Sequence, residues 1–76
     1  MPTLLRKNGF QFFFYANEHE PMHIHVVKAG NFAKIDLNHF GVFQNTLSKK
    51  ELSSALAITK EYEKEFKQKW KHFFKR

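Results

Sequence analysis

Two apolar-rich runs, Thr3-Leu4-Leu5-Arg6-Lys7 and Phe10-Gln11-Phe12-Phe13-Phe14-Tyr15, flank Asn8-Gly9. A two-residue type I′ turn needs positive φ at both central positions, and Asn and Gly tolerate that best. The pattern therefore predicts a β-hairpin pairing Arg6 with Gln11, Leu5 with Phe12 and Leu4 with Phe13. Strand side chains alternate, so Phe10, Phe12 and Phe14 share one face while Phe13 and Tyr15 lie on the other. Both faces of this strand are apolar, which predicts a central strand with a helix on one side. The cover for the other side is open and includes a partner chain or a second copy.

Pro21 ends the polar loop Ala16 to Pro21, since it has no N–H to donate to a ladder. His23-Ile24-His25-Val26-Val27-Lys28 reads as a strand, and Phe32 to Leu37 as its return. The turn between them is Ala29-Gly30 or Gly30-Asn31. Ile24 and Val26 face one way; His23, His25 and Val27 face the other. On the return strand Ala33, Ile35 and Leu37 are apolar, and Lys34 and Asp36 polar. Asn38 to Leu47 reads as a loop with a short extended piece at Val42-Phe43.

Ser48-Lys49-Lys50-Glu51 has the spacing of a capping box. Leu52, Ala55, Leu56, Thr59, Tyr62, Phe66, Trp70 and Phe73 then recur every three or four residues. That predicts one long amphipathic helix reaching about Phe74. The expected class is α+β: about four antiparallel strands (residues 1–47) packed against a long C-terminal helix (residues 48–76), in one domain spanning 1–76.

Composition sharpens this. At 76 residues the chain is near the lower size limit for a core, and its expected stability is about 3–5 kcal/mol. It has no Cys for a disulfide, and its ten Phe are the compensation. The longest apolar stretch, Phe12 to Ala16, is far short of the ~20 residues of a membrane span. Met1-Pro2-Thr3 lacks the order of a signal peptide. The cytoplasm is the expected compartment, with no membrane partner.

The net charge of +6 is uneven. Residues 1–48 hold four bases and three acids; residues 49–76 hold nine and four. Lys60, Lys64, Lys67, Lys71 and Lys75 follow helical steps and form a stripe. Such a stripe suits RNA or another polyanion.

His23-x-His25 is the leading chemical feature. Residues two apart on a strand point the same way. Two imidazoles so placed can divide general base and general acid roles. Either hairpin loop puts Asp36 on the histidine face, opposite His23 or His25, where a carboxylate can orient an imidazole. With Ala29-Gly30 as the loop, Lys34 faces His25 and can stabilise charge on a phosphate. No cofactor is needed for this chemistry. A divalent metal such as zinc is the alternative, with His19, His23 and His25 as ligands and Glu18 near by. The three Gly are scattered, which excludes a glycine-rich phosphate loop.

Glu18-His19-Glu20-Pro21-Met22-His23-Ile24-His25-Val26 carries a resemblance. With Met1-Pro2-Thr3, Phe12 to Tyr15, Ala33-Lys34, Leu47-Ser48, Glu51-Leu52, Trp70 and Phe73-Phe74, it resembles the small bacterial proteins of domain-of-unknown-function family 4160. Met22 stands where that pattern has a second Pro. The resemblance implies a toxin–antitoxin setting. There this chain would be the toxin-like member, a ribonuclease, with a small antitoxin-like protein as its partner. The rival expectations are a binding module without chemistry, using the basic helix, and a metal-dependent hydrolase.

Overall fold

The structure, a computed structural model, describes residues 3–15 and 20–74. Five strands come first: β1 (Thr3–Lys7), β2 (Phe10–Phe13), β3 (His23–Lys28), β4 (Asn31–Asp36) and β5 (Val42–Asn45). Two helices follow, α1 (Lys49–Glu61) and α2 (Glu63–Phe73). The strands form one antiparallel sheet in the order β1-β2-β3-β4-β5.

Local chemistry sets each connection. Asn8 and Gly9 take φ of 55° and 82°, the left-handed pair the first hairpin requires. Arg6 faces Gln11 and Leu5 faces Phe12 as expected. A bulge before Leu5 then makes Thr3, and not Leu4, the partner of Phe13. The second hairpin turns on Ala29-Gly30, which fixes His23 opposite Asp36 and His25 opposite Lys34. Ala29 holds φ of 50°, a region its Cβ disfavours.

The sheet has five strands where the sequence predicted about four. β5 is an edge strand with all four residues exposed, so no burial pattern marks it. Its ladder to β4 holds it, helped by Thr46, whose Oγ1 accepts from the Phe32 N–H at 2.9 Å. Asn45 Oδ1 accepts from the Leu47 N–H at 2.8 Å and turns the chain toward α1.

The long helix is two segments. Ser48 and Glu51 form the expected capping box at the start of α1. Tyr62, with φ −105° and ψ 17°, separates α1 from α2. The i→i−4 bonding still crosses it, from the Tyr62 N–H to the Ile58 carbonyl at 3.0 Å and from the Phe66 N–H to the Tyr62 carbonyl at 2.9 Å. Tyr62, Phe66, Trp70 and Phe74 step by four, and on a straight helix each such step moves a stripe about 40° around the axis. The break lets Ala55, Ile58 and Thr59 on α1 and Phe66 and Trp70 on α2 all be buried. Phe73, expected inside, is 49% exposed, and Phe74 packs on the core instead.

The core lies between the helices and one face of the sheet. Phe10, Phe12, Phe14, Ile24, Val26, Ala33, Ile35 and Leu37 meet Ala55, Ile58, Phe66 and Trp70 there. Phe12 stacks on Phe66 at 5.6 Å, and Phe14 meets Trp70 edge-on at 5.3 Å. Lys7 ties β1 to the helix break, donating to the Tyr62 hydroxyl at 3.3 Å and to Glu61 at 3.4 Å. Those bonds raise the Lys7 pKa, Tyr62 first and Glu61 second. Among the described residues, no helix is long and apolar enough to cross a membrane.

Candidate functional site

Among the described residues, the helices pack on the Phe12 face of the sheet and leave the other face without one. Register arranges its side chains in two cross-strand rows. One row runs Arg6, Gln11, Val27, Phe32; the next runs Thr3, Phe13, His25, Lys34, Gln44. At the β4–β5 bulge Phe43 joins this face: its ring lies 6.5 Å from His23, and Lys34 Nζ sits 5.5 Å from its centre. Tyr15, just beyond β2, meets His25 edge-on at 4.5 Å. The result is a half-covered aromatic surface. Phe13 is buried beneath it, while Tyr15, Phe32 and Phe43 are 41–49% exposed.

His23 and His25 do emerge on one side of β3, with ring centres 5.2 Å apart. Their surroundings differ. His23 is 4% exposed, at the end of the sheet where Trp70 reaches to 5.1 Å. Its Nδ1 pairs with the Pro21 carbonyl at 2.8 Å. A carbonyl only accepts, so Nδ1 carries the proton. His25 is half-buried and stacks on Phe13 at 5.6 Å and 20°.

Asp36 was expected to orient an imidazole, and its register position opposite His23 suits that. Its carboxylate is used differently. Oδ1 accepts from the Asn38 N–H at 2.8 Å, while the Asp36 backbone bonds Phe40 and Gly41. Asp36 thus closes the β4–β5 turn. Among the described residues, no hydrogen bond joins it to either imidazole; the Pro21 carbonyl orients His23. His19 lies outside the described residues. Among those described, no cluster of three His, Cys, Asp or Glu is placed to hold a metal.

The helix lysines lie in a different layer. Lys60 is on α1, with Nζ 5.6 Å from the Phe40 ring centre. Lys64, Lys67 and Lys71 are on α2, beyond the break. Lys64 and Lys71 are exposed, while Lys67 pairs with Glu63 at 2.7 Å. Lys75 lies outside the described residues. The helices cover the Phe12 face, so this stripe and the histidine face do not form one surface.

Alternation along the sequence puts Phe13 and Tyr15 on the second apolar face but does not reveal Gln44, because the exposed strand β5 buries nothing. The extended piece at Val42-Phe43 was the signal available.

The fold and site define a small α+β protein whose sheet carries two histidines and part-exposed aromatic rings on the face away from the core. The family described as Domain of unknown function (DUF4160) matches residues 9–71, and the chain belongs to that family. No curated protein and no solved structure matches it.

Proposed function

We propose that the chain binds single-stranded RNA across the open face of its sheet. The observation that carries this reading is the set of part-exposed rings beside the two histidines: Tyr15 and Phe32 line a cleft with His25, and Phe43 lies against His23. Bases stack on such rings without regard to sequence, and unpaired RNA presents its bases for stacking. Several large apolar side chains exposed on one face of a small protein mark an interaction site. Among the described sheet residues outside the Asp36 turn, the charged side chains of this face are Arg6 and Lys34, both suited to phosphate. The expected setting is the cytoplasm.

Salt dependence separates this face from the helix stripe. For single strands the slope of log K against log salt is about −0.7 per phosphate neutralised. Arg6 and Lys34 give a slope of about −1.4, and four helix lysines about −2.8. Titrating a labelled eight-nucleotide RNA at several salt concentrations tests the reading. No binding, or binding abolished by Lys64→Gln with Lys71→Gln and untouched by Phe32→Ala, ends it.

A second reading, RNA cleavage, is favoured by the 5.2 Å approach of the two imidazoles. Burial of His23 weighs against both rings reaching a phosphodiester, so His25 is the ring placed to meet RNA. Gel analysis of the same RNA after incubation decides it: intact RNA removes cleavage, and cleavage lost in His25→Ala establishes it. The toxin-type role and the antitoxin-like partner depend on that outcome.

A further inference from the structure

The open face contains a cleft of about 290 Å³ lined by Phe13, Tyr15, His25, Val27, Phe32 and Gln44. We infer that this cleft takes one unpaired adenine of the bound strand, stacked on its exposed rings, with the Gln44 side-chain amide reading the base edge. The inference rests on the RNA reading above and names the part of the strand this site would recognise.

Size comes first. Sites for drug-sized molecules run to about 300–1,000 Å³, so this cleft suits a single ring system. Its chemistry is the second argument. Phe13 is buried and Val27 half-buried, while Tyr15 and Phe32 are 48% and 41% exposed and available to a planar guest. Base–aromatic stacking of this kind is strong and needs no charge. Pre-organisation is the third. The His25 ring packs against Phe13 at 5.6 Å and Tyr15 at 4.5 Å, which also meet each other at 5.2 Å, so little side-chain freedom remains to be lost on binding.

Gln44 supplies the selectivity. It is exposed, directly opposite Lys34 on β4, and its amide offers one acceptor and two donors. A primary amide pairs in bidentate fashion with adenine, matching the donor at N6 and the acceptor at N7. Lys34 does not line the cleft, so the lysine that would favour guanine is directed elsewhere, over Phe43. Arg6 and Lys34, one in each cross-strand row, stand ready for the phosphates around the bound nucleotide.

The test is fluorescence anisotropy with four labelled eight-nucleotide RNAs: all-adenine, all-uridine, all-cytidine, and an abasic ribose-phosphate strand of the same length. The all-adenine strand should bind tightest, and the abasic strand about 5- to 150-fold more weakly. Gln44→Leu should keep stacking and so flatten the preference among bases. Phe32→Leu should weaken all three base-bearing strands and leave the abasic strand unchanged. Equal binding of the adenine and abasic strands overturns the cleft while leaving RNA binding on this face intact. A preference for adenine that survives Gln44→Leu overturns the role of Gln44. Failure of every strand to bind overturns the RNA reading itself. Sedimentation of the free chain covers the remaining occupant: a dimer split by Phe32→Glu, with no base-dependent binding, would mean that a second copy covers this face.

Discussion

The two faces of the sheet are built from the same strands by the same alternation, yet they have different fates. Phe10, Phe12, Phe14, Ile24, Val26, Ala33, Ile35 and Leu37 meet the helices and are buried. Phe13, His25, Val27 and Phe32, interleaved with them in sequence, lie outside the core cluster that the helices cover. The first face is ordinary close packing, where each ring contributes to stability. The second keeps Phe32 and Tyr15 in contact with water, and burying them within this chain is not what holds the fold. An apolar residue therefore holds the fold on one face and, under the proposed function, contacts RNA on the other.

Paired substitutions sharpen that contrast most. Phe12→Ala should lose about 3–5 kcal/mol, enough to unfold much of a domain this small. Phe32→Ala, on the other face, should change stability by under about 0.5 kcal/mol while weakening RNA binding about 5- to 150-fold. Urea denaturation and RNA titration of both variants check this. A Phe32→Ala protein as unstable as Phe12→Ala would break the distinction.

Asp36→Ala is next in size. It removes the acceptor of the Asn38 N–H, and loss of that bond should cost about 1 kcal/mol. RNA affinity should stay within about twofold, because the carboxylate serves the turn. A large loss of binding with stability unchanged would return Asp36 to the recognition face. Ala29→Gly should go the other way. It relieves a left-handed residue at φ 50° and should raise stability by about 0.5–1 kcal/mol, read as a higher urea midpoint.

Lys7→Met should have the smallest effect, a slight fall in melting temperature. Tyr62 and Glu61 raise the Lys7 pKa above its ordinary 10.5. A raised pKa on a cationic group means its contribution is fully present below 10.5 and is lost as pH rises through the higher folded value. The wild-type and Lys7→Met melting curves should thus differ at neutral pH and converge above pH 10.5.

Much of this architecture could be read from the residues alone. Asn8-Gly9 announced the first hairpin because few other pairs accept two positive φ angles. Ser48 and Glu51 mark the helix start through the spacing of a capping box just before an apolar run. The second hairpin was narrowed to two registers, and the Ala29-Gly30 alternative is the one adopted. β5 was invisible because an exposed edge strand buries nothing and so leaves no alternation. The break at Tyr62 carries no Pro or Gly to announce it. At the site, the shared direction of His23 and His25 followed from strand geometry. The burial of His23, and the use of Asp36 in a turn, depend on contacts with Trp70, Pro21 and Asn38 that no local pattern encodes.

Backbone amide shifts during titration with the all-adenine RNA give the most direct test. The largest changes should fall at Val27, Phe32 and Gln44, with α1 and α2 little affected. Changes confined to Lys60, Lys64, Lys67 and Lys71, with the open face of the sheet unmoved, would contradict it.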